Sequence, residues 1–289
     1  MLISKIKENH MSCPSVQSRK ILRMRDDCIH HLSDLIVTEE PLEIVVFTAC
    51  KTKQVTIATT MRTPGHDFEL ALGILYNERV IFSKEDILHI YHCPHAHPQE
   101  SRIHVVLQPY IPLPENKRIS VATSSCGLCG DVELVHTHTS SAITTNRFEV
   151  SSALIKELPR YLRENQTLFE HTGGIHASAL ASEEGQIHYV REDIGRHNAM
   201  DKVIGACLFE NSKLLPVSLM ITSSRIGYEL VLKVVRAHIP MLVAIGAPSH
   251  LSIQLAEEAG ITLIGFAKFT GFNIYTHPHR VHTHTDTKI

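Results

Sequence analysis

Three apolar, β-rich segments follow one another in the second half of the chain: Val217-Ser-Leu-Met-Ile-Thr222, Met241-Leu-Val-Ala-Ile245 and Ile261-Thr-Leu-Ile-Gly-Phe266. Between the first two, residues 225–238 carry an apolar stripe at helical spacing. Between the last two, Ser249 is a natural N-cap for a helix that ends at Gly260, its C′ glycine. Because strands and helices alternate in this way in α/β folds, the stretch predicts an α/β layer with a largely buried sheet.

The segments before this stretch continue the alternation. Gln186–Arg191 has the composition of a strand, and His197–Phe209 has the apolar spacing of an amphipathic helix. Ser151–Arg163 is also helical in pattern, but Pro159 is expected to kink or split that helix, since proline removes a backbone hydrogen bond.

The first half of the chain is richer in strands. Glu43–Cys50 and Gln54–Thr60 are β-rich runs with a short polar connection, which predicts a hairpin. Phe68–Leu75 predicts a helix, Arg102–Leu107 a strand, and Ile119–Thr123 a short strand that leads into a cysteine-bearing loop. We therefore expect an α+β protein, with a smaller β-rich N-terminal domain before a C-terminal α/β domain.

The predicted domain organisation has four parts. A loose arm covers residues 1–40, a β-rich domain ending in the cysteine loop covers 41–145, an α/β domain covers 146–276, and a His-rich tail covers 277–289. A length of 289 residues agrees with two domains of about 150 residues each. A chain of this length can bury a full core without disulfides.

The charge balance and hydropathy exclude several classes of protein. Lys and Arg number 28 against 30 Asp and Glu, so the net charge is −2 and no basic surface for nucleic acid or membrane is indicated. No segment reaches the roughly 18 apolar residues of a membrane span, and residues 1–17 lack the apolar core of a signal peptide. We expect a cytoplasmic protein with neither kind of partner.

The sharpest local signal is a pair of cysteines in the segment Ser124-Ser-Cys126-Gly-Leu-Cys129-Gly130. Two thiols at this spacing can meet across one turn, and accessible thiols with a lowered pKa are nucleophilic. The pair could bind a metal, form a redox disulfide or carry sulfur as a persulfide; two ordinary thiols are the remaining interpretation. Structural zinc needs four ligands, which His136 and His138 could complete.

A glycine pair lies in the segment His171-Thr-Gly-Gly-Ile-His176. We expect a helix after the glycines, so that backbone N–H groups could approach an anion such as phosphate. A plain glycine turn with His176 facing the core is the alternative.

Three polar segments follow predicted strands: Arg191-Glu-Asp-Ile-Gly-Arg-His-Asn198, Thr222-Ser-Ser-Arg225 and Ala247-Pro-Ser249. If these strands are parallel, their ends lie on one rim of the sheet, where α/β proteins bind ligands. A solvated charged loop is the alternative for the first segment. We expect Arg196 and Arg225 to contact a phosphate or a guanine.

Two histidine-rich segments have the composition of metal ligands. The first holds His89, His92, Cys93, His95 and His97, and the second holds His277, His279, His282 and His284. Because histidine clusters at surfaces are often only solvated, we expect no permanent metal.

Six motifs occur in a fixed order along the chain: Arg62-Thr-Pro-Gly65, Ser125-Cys-Gly-Leu-Cys-Gly130, Thr172-Gly-Gly-Ile-His176, Arg191-Glu-Asp-Ile-Gly-Arg-His-Asn198, Thr222-Ser-Ser-Arg225 and Gly246-Ala-Pro248. In combination they resemble the FdhD family, the sulfur carrier proteins required for active formate dehydrogenase. The resemblance covers residues 40–276 and leaves out the N-terminal arm and the tail.

The resemblance implies a sulfurtransferase. A cysteine desulfurase would pass sulfane sulfur to Cys126, and Cys129 would assist or relay. The persulfide sulfur would then reach the molybdenum or tungsten of a bis(molybdopterin guanine dinucleotide) cofactor, the client cofactor of apo formate dehydrogenase. Attack of a thiolate on sulfur is the chemistry of thiol–disulfide exchange. The resemblance also implies a homodimer.

The resemblance further implies a cytidine deaminase-like, three-layer C-terminal domain. Deaminases need His-x-Glu and Pro-Cys-x-x-Cys, whereas this chain has Ser178 in place of the glutamate and Ser125 in place of the proline. The family binds its cofactor through the segment after the last core strand, here Phe266-Ala267-Lys268-Phe269-Thr270-Gly271. That segment usually carries arginines; here it has Lys268, and the next arginine is Arg280.

Two other functions remain open from the residues. The chain could be a non-catalytic chaperone that binds the molybdenum cofactor, with incidental cysteines. It could also be a zinc-dependent, deaminase-like hydrolase, although the missing glutamate and proline argue against that chemistry.

Overall fold

The computed structural model describes residues 15–94, 101–114, 120–122 and 148–283. In the N-terminal part, the elements are β1 (Val16–Arg25), β2 (Cys28–Val37), β3 (Glu40–Phe47), β4 (Gln54–Arg62), α1 (Asp67–Asn77), β5 (Ile87–His92), β6 (Ser101–Leu107) and β7 (Ser120–Ala122). In the C-terminal part, they are β8 (Val150–Ser151), α2 (Ser152–Glu164), α3 (Thr167–Thr172), β9 (His176–Ala181), β10 (Ile187–Asp193), α4 (Arg196–Phe209), β11 (Leu219–Thr222), α5 (Tyr228–Arg236), β12 (Met241–Ala244), α6 (His250–Glu258), β13 (Thr262–Lys268), β14 (Gly271–Thr276) and β15 (Val281–His282).

The C-terminal part is a three-layer α/β unit. Its six-stranded sheet has the order β10-β9-β11-β12-β13-β14. Strands β11, β12 and β13 are parallel neighbours, and β9 is antiparallel to both β10 and β11. Helix α2 packs on one face, and α4, α5 and α6 cover the other, so both faces of the sheet are buried. This confirms the predicted α/β layer, whereas the deaminase likeness stays a prediction.

The N-terminal sheet has the order β5-β6-β3-β4-β7. The antiparallel β3–β4 pair confirms the predicted hairpin. Alternate residues of β3, including Leu42, Ile44 and Val46, face helix α1 and form a separate apolar core with it. The predicted boundary near residue 145 lies outside the described residues, so the domain division stays a prediction.

Helices α1 and α4 join the two parts at a close crossing. A Cβ atom at Gly73 of α1 would overlap the Asp201 carbonyl oxygen of α4, and one at Gly205 of α4 would overlap the Glu69 carbonyl oxygen of α1. Glycine is therefore needed at both positions, because it alone lets the two helix backbones approach this closely. No helix in the described ranges is long and apolar enough to cross a membrane.

The structure differs from the sequence expectations at both ends. Residues 16–37 form the β1–β2 hairpin, where we expected part of a loose arm; both strands are mostly exposed, so neither shows the alternation of apolar and polar residues that marks a buried face. The tail predicted from residue 277 begins in ordered structure, because Val281 of β15 pairs with Val150 of β8.

One local prediction is wrong and another is wrong in part. Helix α2 is not split at Pro159 but continues from Ser152 to Glu164. Burial of Ile155, Leu158 and Leu162 offsets the lost hydrogen bond, since tertiary packing supplies most helix stability. A strand, β9, follows the glycine pair in place of a helix, because residues 177–181 are buried and pair with β10 on one side and β11 on the other.

Candidate functional site

One rim of the six-stranded sheet collects the predicted polar segments. Since β10 and β11 are both antiparallel to β9, the C-terminal ends of β10, β11, β12 and β13 lie on the same side. Backbone hydrogen bonds join the segments there: Ile226 N donates to Ala247 O at 3.0 Å, and Phe266 N donates to Gly246 O at 3.1 Å. The predicted convergence of the strand ends is therefore confirmed.

Gly246 permits this close approach. A Cβ atom there would lie 2.7 Å from the Ser224 carbonyl oxygen and 2.9 Å from the Arg225 Cα. Any side chain would push the β11 and β12 loops apart, so the motif glycine sets the spacing of the rim.

The charged segment after β10 divides into two sets of residues. Asp193 is fully buried; its Oδ2 lies 2.7 Å from Lys202 Nζ and accepts a 3.2 Å hydrogen bond from Thr63 N. Its Oδ1 accepts from Gly195 N at 2.9 Å and from Asn198 Nδ2 at 3.1 Å. Asp193 therefore holds the Arg62–Gly65 loop against the sheet and serves structure.

Other residues of this segment also hold neighbouring elements. Arg191 forms two hydrogen bonds with Glu69 of α1, at 2.5 and 2.8 Å. Glu192 accepts from Leu168 N and Phe169 N at 2.8 Å each, at the start of α3. Asp193 and these two residues are therefore engaged with protein groups.

Arg196 and Arg225 remain available for a ligand. Neither guanidinium group makes a hydrogen bond or an ion pair within the described ranges, and Arg225 is exposed. Burial lowers the pKa of His176, and the nearby Arg196 and Arg225 lower it further. The rim is thus electropositive around a neutral His176, which favours an anionic ligand.

Two helix N-termini add to the positive field. Helices α4 and α5 begin after Gly195 and Gly227, and neither N-cap has a side chain that accepts a backbone N–H. Helix α6 differs, because Ser249 Oγ accepts from Ser252 N at 3.3 Å. Uncapped N-terminal N–H groups suit phosphate oxygens, so α4 and α5 can contribute to an anion site and α6 is already capped.

His197 lies in the first turn of α4, where its Nε2 is 3.0 Å from Glu229 Oε2. The contact with His197 lowers the pKa of Glu229, so the carboxylate is ionised at neutral pH. This pair links the starts of α4 and α5, and it leaves Arg196 as the cation of the segment without a protein partner among the described residues.

The predicted cofactor segment, residues 266–271, lies beside the rim in a different conformation from the one expected. It forms the end of β13, a turn at Phe269 and Thr270, and the start of β14, so it does not follow the last strand of the sheet. Ala267 is fully buried and can offer a ligand no side-chain contact. Phe266, at φ 53°, and Phe269 are exposed.

Lys268 and Thr270 are exposed next to the two phenylalanines, and Gly271 begins β14. The nearest following arginine cannot replace the missing ones. Arg280 is buried, and its Nη1 donates to Gly260 O at 2.9 Å.

The glycine pair of residues 173–174 ends α3. Gly173 has φ 66° at the C-cap, and its N–H donates to Phe169 O at 2.8 Å. The predicted helix N-terminus at this point is therefore wrong, although the pair does lie at the rim, just before His176.

Cys126, Cys129, His136 and His138 lie outside the described residues, as do His95, His97 and His284. The strand before the cysteine segment is described: Ala122 of β7 pairs with Thr60 of β4. Thr60 Oγ1 in turn donates to Oδ1 of Asn198 at 3.2 Å, and Asn198 lies two residues after Arg196. No group of three potential metal ligands occurs within the described ranges.

Sequence reasoning missed the partners of the charged segment. Thr63, Asn198 and Lys202 connect the two sheets, with Lys202 Nζ donating to Thr63 O at 2.9 Å. The sequence analysis did single out the motifs that hold these residues, Arg62-Thr-Pro-Gly65 and Arg191–Asn198. Nothing in the local sequence indicates that the two motifs contact each other.

Comparison with known proteins identifies the family. The model of the FdhD/NarQ family matches residues 37–282. The sulfur carrier protein FdhD of Streptomyces avermitilis is 39% identical over 92% of this chain and 95% of its own. That of Sulfurisphaera tokodaii is 40% identical over 92% of this chain and 99% of its own.

A solved structure has the same fold. The crystal structure of a protein assigned as a formate dehydrogenase accessory protein, from Desulfotalea psychrophila, superposes with a TM-score of 0.69 at 24% identity. It covers 93% of this chain and 100% of that one. On the evidence of the family model and of these relatives, the chain belongs to the FdhD/NarQ family.

Proposed function

We propose that this chain is a sulfur carrier required for formate dehydrogenase activity. It accepts sulfane sulfur from a cysteine desulfurase on Cys126 and delivers it to a bis(molybdopterin guanine dinucleotide) cofactor. Family membership supports the sulfur-carrier role. The observation that carries the cofactor part is the electropositive rim at Arg196 and Arg225.

Charging of Cys126 is a thiolate exchange. The Cys126 thiolate attacks the terminal sulfur of the desulfurase persulfide, an S–S bond forms on Cys126, and the desulfurase cysteine leaves as a thiolate. No net oxidant or reductant is needed for this step. Cys129 supplies a second thiol two residues away that can assist or relay.

The strand that precedes Cys126 supports this assignment through its described end. Ala122, the last described residue before Cys126, is four residues from it and is paired with Thr60 beside the Arg196 segment. Four residues of extended chain span at most about 14 Å. A phosphate bound at Arg196 would therefore lie near the described end of β7.

Different residues would contact the phosphate groups and the guanine bases of the client cofactor. Arg196 and Arg225, with the N-termini of α4 and α5, fit phosphate groups because both offer unused donors and positive charge. Phe266 and Phe269 offer exposed rings for a guanine, and Lys268 adds a point charge. Partner proteins are the desulfurase and apo formate dehydrogenase, and the expected compartment is the cytoplasm.

Intact-protein mass spectrometry tests the carrier role. The wild type, Cys126→Ala and Cys129→Ala are incubated with a cysteine desulfurase and cysteine. We expect a reductant-labile gain of one sulfur in the wild type that is lost in Cys126→Ala. Absence of the gain in the wild type would contradict sulfur transfer and favour a chaperone that binds the cofactor without carrying sulfur.

A further inference from the structure

One carboxylate lies beside the electropositive rim. Glu229 is the second residue of α5, one of the two helices whose uncapped N-termini add to the positive field. The first turn of α4, residues 196–199, has no acidic residue. A carboxylate in the first turn of a helix interacts favourably with the N–H groups there, and a phosphate oxygen uses the same groups. Glu229 is therefore placed to compete with an anionic ligand.

The side chain of His197 holds this carboxylate. His197 is the second residue of α4, so its contact with Glu229 joins equivalent positions of the two helices. The distance between His197 Nε2 and Glu229 Oε2 is 3.0 Å, and the two side chains are 21% and 27% exposed. Because both side chains are mostly covered, solvent and salt screen the contact less than they screen a surface pair.

Two other cations interact electrostatically with Glu229, and they differ in whether they are already engaged. Lys233 Nζ donates to Oδ1 and Oδ2 of Asp201, at 2.7 and 2.9 Å. Arg196 makes no hydrogen bond or ion pair in the part of the chain that the structure describes. A guanidinium group binds a carboxylate in the same two-pronged geometry as a phosphate. Arg196 is therefore the alternative partner of Glu229 when His197 does not hold it.

We propose that Glu229 is an internal competitor of the ligand's phosphate for Arg196, and that His197 is the positioning residue that keeps the site open. While His197 holds Glu229, Arg196 and the N-terminus of α4 are free to bind a phosphate group. When Glu229 pairs with Arg196, the carboxylate occupies the guanidinium group and repels the phosphate. The inference rests on the proposed phosphate site and adds the pair of residues that controls access to it.

A purely electrostatic role of the pair makes a different prediction. If each side chain acted only through its charge, a change at Glu229 would alter phosphate affinity by the same factor with and without His197, since independent effects add. Competition requires that Glu229 matters little while His197 holds it and much once it is released. A double-mutant cycle separates these two cases.

Isothermal titration calorimetry with guanosine diphosphate measures the cycle on the full chain. We expect His197→Ala to weaken binding by about tenfold, because the released carboxylate occupies Arg196. Glu229→Gln alone should change the dissociation constant by less than about twofold, and the double variant should return to within about twofold of the wild type. An equal effect of Glu229→Gln in both backgrounds would overturn the proposal.

His197→Gln tests the positioning role without a cation. A glutamine side chain offers an amide N–H to the Glu229 carboxylate but carries no charge. We expect this variant to bind guanosine diphosphate nearly as tightly as the wild type. Binding as weak as that of His197→Ala would show that the imidazole acts through its charge and would overturn the positioning role.

A measurement without ligand separates this inference from the proposed function. Urea unfolding compares Arg196→Ala in the wild-type background and in the His197→Ala background. In the first, Arg196 has no described partner to lose, so the midpoint should stay unchanged. In the second, the change removes the new pair with Glu229 and should lower the midpoint.

The two measurements distinguish the possible failures. The same midpoint change in both backgrounds would overturn the competition, whatever the ligand. A midpoint that depends on the background, in a wild type that does not bind guanosine diphosphate, would contradict the proposed phosphate site and uphold the exchange of Glu229 between His197 and Arg196.

Discussion

Residues of one short segment serve two regions with opposite properties. At the junction of the two sheets, Asp193 and Asn198 are buried and bonded to side chains and backbone. At the rim, Arg196 makes no hydrogen bond within the described residues, and the same holds for Arg225. The comparison shows that a motif rich in charged residues is not by itself a ligand site. Burial and partners decide which charges are left to bind one.

The largest effect is expected at the junction. Asp193→Ala leaves the Lys202 ammonium buried without its carboxylate and removes the acceptor of Thr63 N. Breaking a buried pair in this way costs about 3–5 kcal/mol. Urea unfolding measures the loss, and Arg225→Ala is the matched control, expected to change stability by less than about 0.5 kcal/mol. Equal stability of the two variants would remove the distinction between junction and rim.

The helix crossing beside the junction comes next. Gly205→Ala places a Cβ atom against the Glu69 carbonyl oxygen and forces α1 and α4 apart. Overpacking of this kind costs about 1–3 kcal/mol. Gly174→Ala is the control, because its nearest neighbour, Thr172 O, is 3.8 Å away. Thermal unfolding that is the same for both variants would contradict the close crossing.

The rim is tested by binding. Arg196→Ala and Arg225→Ala should each weaken binding of guanosine diphosphate by about tenfold, which corresponds to about 1.4 kcal/mol. Their melting temperatures should stay unchanged, since no described group loses a partner. Isothermal titration calorimetry gives the dissociation constants. Unchanged affinity in both variants would place the phosphate elsewhere.

The smallest effect concerns the pH dependence of the junction. Burial raises the pKa of Glu69, but hydrogen bonds from Arg191 and His66 outweigh burial and hold the pKa at about 2. Because a lowered carboxyl pKa stabilises the fold above the ordinary value of about 4.3, this stability is present at neutral pH. It is lost as the pH falls through about 2.

Glu69→Gln should therefore be less stable than the wild type by about 1 kcal/mol at pH 7, and the difference should shrink below pH 4. Urea midpoints measured across this range provide the readout. Glu164→Gln is the control, because Glu164 pairs with Arg160 at an exposed site. A difference that is constant with pH would show that Glu69 is not held ionised by these contacts.

Much of the secondary structure was predictable because its signals are local. The strands and helices from Leu219 to Lys268 follow apolar periodicity, and α6 begins after its N-cap Ser249 and ends just before Gly260, as capping preferences require. Strand β9 was not predictable in this way. Its Ala-Ser-Ala-Leu-Ala sequence has no strand periodicity, and pairing with β10 on one side and β11 on the other decides its conformation.

The candidate site was predictable only in outline. Parallel strands implied that the segments after β10, β11 and β12 would converge, and they do. The sequence could not show that Asp193 binds Thr63, which lies 130 residues earlier. It also could not show that Ala267 is buried between two exposed neighbours, because the predicted strand ends at Phe266 whereas β13 continues to Lys268.

By itself, the sequence determined the order of strands and helices from Leu219 to Lys268, the α/β class of the second half and the motifs through which the chain resembles its family. The tertiary structure alone decided which charged side chains of residues 191–198 pair with other protein groups and which remain unpaired at the rim. The physical reason is that periodicity and capping act over a few residues. Partners for a buried charge come from any part of the chain that packing brings within hydrogen-bond distance.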